Sequence, residues 1–373
     1  MEKAAKILDI ILKKTNGHLE KPFIKNREIL RKIEFISHNI QNRAGVRLIM
    51  SCLLAKLDDP KVDVRKPYTE IGSRDSFSGR TYDEAYVGSF ITKHHLPCNP
   101  TTAFLTPALR NRNIVLTPKV NLVGRPPEIY QYVLDLLELV FKGFLAPAIL
   151  LAEIMRQLVL LRDENQKRIK SLLKNLGKNG SVPLSGEDII KLIEQHLNCK
   201  GASRLPVLIV AAAYNTIGNF IQEKVLPIFS HNSADKQTGA LGDIQITLIN
   251  DENVVTSYEM KMKKVTKDDI DIALQKISGV KYKIDNYIFI TTDIIDDSVK
   301  EYAKSLYEQT GGIEIVVLDC ISFLRHFIHL FHRFRLPYLE EYQKLVMGEA
   351  DSAVSQPLKE AFLALRQATE SAN

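Results

Sequence analysis

The 373-residue sequence lacks the cysteine patterns of disulfide-linked and zinc-binding proteins. Its four cysteines are scattered and include no Cys-x-x-Cys pair; they are Cys52, Cys98, Cys199 and Cys320. Disulfide scaffolds and structural zinc sites need cysteines at short, regular spacings. We therefore expect a chain that uses neither and that works in a reducing, cytoplasmic compartment.

Long hydrophobic runs, internal repeats and low-complexity segments are also absent. The most apolar long stretch, residues 132–161, is interrupted by charges, and its longest uncharged run is only 143–152. A membrane-spanning helix needs about 20 apolar residues. We predict two core helices that meet at Pro147, and no membrane segment. Residues 1–8 mix acidic and basic side chains, unlike a secretory signal.

The composition is that of a globular protein of more than one domain. Hydrophobic residues make up 45% and charged residues 25% of the chain. A chain of this length exceeds one ordinary core, so two domains are expected. The net charge of +6 suits a polyanionic partner such as nucleic acid, although many proteins reach this value without one.

The pattern of residue types divides the chain into three parts. A mainly helical N-terminal domain is predicted over 1–200, a second domain over 201–345, and a linker with a helix over 346–373. Within the first, residues 65–126 are rich in Pro, Gly, Asn, Thr, Ser and Arg. Such composition is typical of loops held on a scaffold, where recognition residues tend to lie.

The second domain contains the most informative residues, which are Asp243, Glu259 and Lys261. They lie in two strand-like segments, 242–248 and 254–261, separated by a polar turn. Residues two apart in a strand share a face, so Glu259 and Lys261 project together. A three-residue loop at 251–253 would pair Asp243 with Lys261 and bring all three to one face.

Two carboxylates beside a lysine can support phosphodiester hydrolysis. Carboxylate oxygens are ligands for a hard divalent cation such as Mg²⁺, for which Mn²⁺ can substitute. The alternative is a surface strand whose Glu and Lys only pair with each other, because Glu-x-Lys is a common pattern.

The surrounding elements predict an α+β fold, with a mixed sheet flanked by helices. Apolar residues at helical spacing precede the hairpin at 205–228 and follow it at 267–277. Further strands and helices are predicted, in chain order, at 287–291, 297–309, 313–318 and 321–334.

An Asp followed by Glu-x-Lys on adjacent strands, after one helix and before a helix–strand unit, resembles the PD-(D/E)xK nuclease superfamily. The resemblance covers about residues 205–334, with Gly242 in place of the motif's proline. It implies a restriction-endonuclease-like core in which Asp243, Glu259 and the Met260 carbonyl hold Mg²⁺. Lys261 would then orient or help deprotonate the attacking water.

A second segment resembles a more specific family. RKPYTEIG at 65–72, SGRTYDE at 78–84 and LPCNPTTAFLTPALRN at 96–111 are similar to the matching block of SacI-family type II restriction endonucleases. This resemblance implies Mg²⁺-dependent, sequence-specific cleavage of both strands of DNA, leaving 5′-phosphate and 3′-hydroxyl ends. A homodimer on a palindromic site is expected by symmetry.

Several side chains are suited to contact DNA. Arginines can bind guanine edges or phosphates, asparagines can pair with adenine, and hydroxyls can donate to phosphates. The candidates are Arg74, Arg80, Asn99, Thr101, Thr102, Arg110 and Asn111, with Lys236 and Gln237 in the loop before Asp243. Residues 99–102 equally suit a capped turn that opens a helix at Ala103. For Asp83 and Glu84, a helix N-terminus or an arginine salt bridge is expected.

Two alternatives remain open. One is a methyl-directed or structure-specific nuclease of the same superfamily, such as a Holliday-junction resolvase. The large N-terminal region argues against a minimal resolvase. The other is a DNA-binding protein whose carboxylates are not catalytic.

Overall fold

A computed structural model describes residues 2–99, 101–176, 183–228, 241–251, 253–280 and 282–372. The chain forms two compact units. The first consists of Met1–Arg168 and Ala350–Ser352, and the second of Ile169–Glu349 and Ala353–Asn373. The division therefore falls before the break predicted near residue 200. The reason is that the helix Gly186–Leu197 contributes its apolar face to the core of the second unit.

Helices build most of the first unit. In chain order they are α1 (Glu2–Asn16), α2 (Arg27–His38), α3 (Ala44–Asp58), α4 (Gly79–Tyr82), α5 (Gly88–Lys93), α6 (Glu128–Phe141) and α7 (Pro147–Asn175). α3 is the central helix, since every residue from Ala44 to Ala55 is buried, and α1, α2 and α6 pack against it. Pro147 opens α7, as predicted, at a position where its missing N–H leaves no hydrogen bond unmade.

A buried ion pair anchors the loop-rich segment to α3. Arg47 Nε donates to Asp83 Oδ1 at 2.6 Å, and both side chains are almost fully buried. The other Asp83 oxygen accepts hydrogen bonds from the Thr102 hydroxyl and the Ala103 N–H. Glu84 pairs with Arg80 at the surface. The arginine salt bridges expected for both acidic residues are thus confirmed, and Asp83 ties residues 102–103 to the helical core.

The second unit has a mixed α+β fold. Its elements are α8 (Gly186–Leu197), α9 (Leu205–Ile221), β1 (Glu223–Val225), β2 (Ile244–Leu248), β3 (Val254–Lys261), α10 (Lys267–Ser278), β4 (Asn286–Thr291), α11 (Asp297–Ser305), β5 (Glu314–Asp319), α12 (Cys320–Leu330), α13 (Arg335–Gly348) and α14 (Gln356–Ala372). The predicted order of hairpin, helix, strand, helix, strand and helix is confirmed.

The five strands form one sheet between two layers of helices. Their spatial order follows the chain, with β1, β2 and β3 antiparallel and β3, β4 and β5 parallel. One face packs Ile244 and Tyr258 against α8, α9 and α12–α14. The opposite face packs Tyr287 and Phe289 against α10 and α11. Side chains of α10 therefore lie over the face that carries odd-numbered residues of β3, where the site residues stand.

β1 was not predicted, and the helix expected to reach residue 228 ends at Ile221. Gln222 takes a left-handed conformation (φ 60°), which turns the chain back along the helix. Gly218 makes room for the return, because a Cβ there would lie 2.4 Å from the Glu223 carbonyl oxygen. Together these two residues let an added strand pair with β2.

α9 is relevant to the prediction that the chain has no membrane segment. Within the described chain, Ala202–Ile221 is one helix whose length and apolar composition would allow it to cross a bilayer. However, 67% of its apolar window is buried among the other elements of the unit. This burial is typical of a core helix.

A buried histidine joins α8 to α13 and α14. His196 Nδ1 lies 3.0 Å from the Tyr342 hydroxyl, and Nε2 lies 3.0 Å from the Leu358 carbonyl. Since the carbonyl can only accept, the neutral tautomer with Nε2–H satisfies both contacts. Burial lowers the pKa of His196 from 6.5 to about 4, against the opposing effect of the Leu358 hydrogen bond. The folded protein therefore keeps this imidazole neutral in mild acid.

We expect His196 to make the protein sensitive to acid. The unfolded chain takes up this proton near pH 6.5, whereas the folded chain does so only near pH 4. Stability present above pH 6.5 is therefore lost as the pH falls, by about 2 kcal/mol between pH 7 and pH 5. Urea denaturation should show a smaller difference between these pH values for His196→Gln than for the wild type. Equal pH dependence in the two proteins would contradict this assignment.

Candidate active site

The β2–β3 hairpin brings Asp243 and Glu259 together, in a register that differs from the prediction. Ile244 pairs with Tyr258, and continuing the ladder by one residue sets Asp243 opposite Glu259. The predicted pairing of Asp243 with Lys261 is wrong by two residues. A bulge at Ile246/Thr247 and the longer connection at 249–253 account for the difference. Because a two-residue shift preserves the face, the three side chains still share one side of the sheet.

Gly242 is required for this arrangement. A Cβ at this position would lie 2.5 Å from the Tyr258 carbonyl oxygen and 2.6 Å from the Ser257 hydroxyl. No side chain can be accommodated there unless the two backbones separate. The absence of the motif's proline thus coincides with a close backbone approach immediately before Asp243.

The Asp243 carboxylate is tied directly to β3. It is exposed, and its Oδ2 accepts a hydrogen bond from the Met260 backbone N–H at 2.7 Å. β2 begins only at Ile244, so the carboxylate satisfies a strand N–H at the end of the ladder. Within the described residues, no other hydrogen bond or ion pair reaches this carboxylate. One oxygen of this exposed carboxylate is therefore held by the backbone of β3.

Glu259 occupies the centre of a charged cluster. Its Oε1 lies 3.4 Å from Lys261 Nζ, and its Oε2 lies 3.5 Å from Lys276 Nζ. The Tyr287 hydroxyl lies 3.4 Å from Oε2. The Glu259 side chain is only 17% exposed, and partly buried carboxylates need such partners because water no longer stabilises their charge.

Lys261 is held between two carboxylates. In addition to Glu259, it contacts Asp269 Oδ1 at 3.1 Å. Asp269 is the third residue of α10 and forms a capping box with Thr266, so its position is set by the start of the helix. Burial by itself lowers the pKa of Lys261, but the charge of Glu259 and the hydrogen bond to Asp269 outweigh it and raise that pKa above 10.5.

Lys261 in turn stabilises the ionised form of Asp269. Burial acts to raise the pKa of Asp269, but hydrogen bonds from Thr266 and the interaction with Lys261 hold it below its ordinary 3.8. Lys261 and Asp269 are therefore both charged at neutral pH.

Sequence reasoning missed Asp269, Lys276 and Tyr287. Asp269 and Lys276 are seven residues apart, or two helical turns, and so lie on the same side of α10. That spacing and the Thr266-x-x-Asp269 capping pattern were visible signals. Tyr287 comes from β4, whose pairing with β3 is set only by the tertiary fold.

Among the predicted DNA contacts, some side chains are exposed and others are engaged within the fold. Arg74, Arg80, Thr101, Arg110 and Asn111 are exposed. The Asn99 side chain donates to Thr101, and Thr102 is buried, with its hydroxyl on Asp83. Thr102 also caps a short helix at Ala103–Leu105, which was the alternative structural role. Lys236 and Gln237 lie outside the described residues.

The donor set fits a hard divalent cation bound through few protein ligands. Asp243 and Glu259 are oxygen donors that stand opposite each other in the β2–β3 hairpin, and Asp269 contacts Lys261. Mg²⁺ is commonly bound through one or two carboxylates, with water and substrate oxygens completing its coordination. In the described part of the chain, no group of three or more His, Cys, Asp or Glu side chains is arranged to hold a metal ion. The arrangement therefore suits an open site that shares its cation with a substrate.

A comparison with protein families finds a match within the second unit. The model of the SacI restriction endonuclease C-terminal domain matches residues 182–292. The similarity to this domain covers 111 of the 373 residues, all of them in the second unit. The matched segment runs from α8 through β4 and contains Asp243, Glu259 and Lys261. A comparison with curated proteins finds no match.

A SacI restriction endonuclease domain is a nuclease domain, and it implies that the protein binds DNA. The matched segment does not include residues 65–112. The resemblance noted there remains a prediction from the sequence.

We expect Gly242→Ala to destabilise the second unit by roughly 1–3 kcal/mol, the usual cost of forcing extra atoms into a packed site. The new Cβ would collide with the Tyr258 backbone and the Ser257 hydroxyl. Gly279→Ala is the matched control, since its Cβ approaches only the Lys276 carbonyl, at 3.4 Å. Urea denaturation of both variants gives the comparison. A Gly242 variant as stable as the control would show that the close approach is not a constraint.

Proposed function

We propose that the chain is a type II restriction endonuclease that hydrolyses phosphodiester bonds in double-stranded DNA with Mg²⁺, leaving 5′-phosphate and 3′-hydroxyl ends. Mn²⁺ is expected to substitute. The observation that supports the proposal is the hydrogen bond from the Met260 N–H to Asp243, because the neighbours of Met260 along β3 are Glu259 and Lys261. The family match and the strand order support a PD-(D/E)xK-like core for the same segment.

Each residue has a distinct role in this mechanism. Asp243 and Glu259, with the Met260 carbonyl, would hold the cation. When bound, Mg²⁺ would polarise the scissile phosphate and stabilise the leaving 3′ oxygen. Lys261 has a raised pKa and is an ammonium at neutral pH. Lys261 would orient or help to deprotonate the attacking water and would offset negative charge in the transition state.

DNA recognition is assigned to the first unit. Arg74, Arg110 and Asn111 expose their side chains on a segment that Asp83 anchors to α3. A rigid scaffold with exposed arginines favours both phosphate contact and base readout. Arg80 and Thr101 are exposed as well, whereas the buried Thr102 acts by holding the loop.

Cleavage of both strands needs two active sites, so we propose a homodimer on a palindromic target. The four cysteines form no disulfide, which is compatible with a cytoplasmic location.

Asp243→Ala and Lys261→Ala should each reduce Mg²⁺-dependent cleavage of plasmid DNA by about 100-fold or more, the effect typical of losing a transition-state contact. Specific DNA binding in gel-shift assays should survive, because neither residue belongs to the first unit. Lys304→Ala, an exposed lysine in α11, is the control. If both active-site variants cleave normally, the site is misassigned.

The pattern of wild-type digestion separates the remaining alternatives. Discrete fragments with 5′-phosphate ends indicate a restriction endonuclease, and a smear indicates a nonspecific nuclease. Cleavage confined to methylated duplex would indicate a methyl-directed enzyme, and cleavage confined to branched DNA a structure-specific one. DNA that is bound but left intact would indicate a non-catalytic binding protein.

Arg110→Ala should weaken binding to the specific site by about 1–3 kcal/mol if Arg110 reads a base. If Arg110 contacts phosphate instead, binding should weaken equally for all DNA sequences. The slope of log affinity against log salt concentration should then decrease in magnitude by about one, because one fewer counterion is released. Arg31→Ala, on the exposed side of α2, is the matched control. Fluorescence anisotropy at several salt concentrations distinguishes these cases. Unchanged affinity and salt dependence would remove Arg110 from the interface.

A further inference from the structure

The two oxygens of Glu259 face different surroundings. Oε1 lies toward Lys261, on the same strand, whereas Oε2 lies 3.5 Å from Lys276 on α10. The Lys276 and Glu259 side chains are 21% and 17% exposed. Their interaction is therefore less screened by water than a surface ion pair.

The Tyr287 hydroxyl does not neutralise Oε2. This side chain is fully buried, and its hydroxyl donates to the Leu241 carbonyl at 2.7 Å. A phenol carries one proton, so the contact with Glu259 at 3.4 Å is at most a weak, shared interaction. The negative charge at Oε2 therefore faces the ammonium of Lys276.

Tyr287 and Lys276, the two groups near Glu259 Oε2, are positioned by different parts of the fold. Tyr287 connects β4 to the residues just before Asp243 through the Leu241 carbonyl. Lys276 lies in the last turn of α10, two helical turns beyond Asp269, which holds Lys261. α10 thus presents one acidic and one basic side chain to the same row of β3 residues.

We propose that Lys276 is a positioning residue that acts as the resident counter-ion of Glu259 and competes with a divalent cation for its carboxylate. This inference rests on the proposed function, in which Asp243 and Glu259 bind that cation. Lys276 holds the Glu259 carboxylate in place in the cation-free protein. Its positive charge also weakens cation binding, so Lys276 sets the cation concentration that the enzyme requires.

The test is the affinity of the full-length protein for Mn²⁺ alone, measured from the free-ion signal by electron paramagnetic resonance. Lys276→Met removes the charge and retains an unbranched apolar side chain, and Lys276→Arg retains the charge. We expect Mn²⁺ to bind roughly tenfold more tightly to Lys276→Met, because a like charge near the site is lost. Lys276→Arg should remain within about twofold of the wild type, since its charge is the same.

Two further variants make the result specific. Lys304→Met removes a positive charge at an exposed position of α11 and should leave the Mn²⁺ affinity unchanged. Lys276→Gln is a second neutral substitution and should reproduce the tightening. Local damage to the fold would weaken binding, so a gain in affinity cannot come from disruption. The Mg²⁺ concentration for half-maximal cleavage should fall in parallel.

The possible outcomes distinguish a failure of the Lys276 inference from a failure of the proposed function. If the wild type binds Mn²⁺ through Asp243 and cleaves DNA, but neither neutral variant binds Mn²⁺ more tightly, only the role of Lys276 is overturned. If Asp243→Ala binds Mn²⁺ as well as the wild type does, or the wild type binds none, both the role of Lys276 and the proposed function are overturned. Tightening in Lys304→Met equal to that in Lys276→Met would show a general charge effect and would also overturn the role of Lys276.

Discussion

The close backbone approach of Gly242 to β3 is the constraint on which the rest of the site depends. With no Cβ at residue 242, the chain passes within contact of the Tyr258 carbonyl and the Ser257 hydroxyl. The next residue can then place its carboxylate on the Met260 N–H, between Glu259 and Lys261 along the strand. This backbone contact thereby brings Asp243 to the strand that carries Glu259 and Lys261.

The cluster is stable without a cation because its charges alternate. Glu259 lies between two ammoniums, and Lys261 lies between two carboxylates. Burying part of an unpaired charge is costly, so this alternation stabilises the half-buried charged side chains. The same pairing raises the pKa of Lys261 and keeps it protonated.

In the first unit, a buried charged group also fixes the position of a segment. Its loop-rich segment would have little order by itself, since it contains few regular elements. The buried Asp83 accepts hydrogen bonds from Arg47, Thr102 and Ala103, which attaches the segment to the helical core. Breaking such a buried network is strongly destabilising, because one charge is then left without a partner. Arg74 and Arg110, which belong to the same loop-rich segment, are exposed at the surface.

The sequence by itself determined the local features of the second unit. Apolar periodicity located α9 and α10, and alternation located β2, β3 and the face shared by Glu259 and Lys261, because these patterns depend on neighbours along the chain. Only the tertiary structure decided the register, the added strand β1, and the positions of Lys276 and Tyr287 beside Glu259. Those features depend on which backbone groups pair across space, and a bulge or a missing Cβ changes that pairing without altering the local pattern.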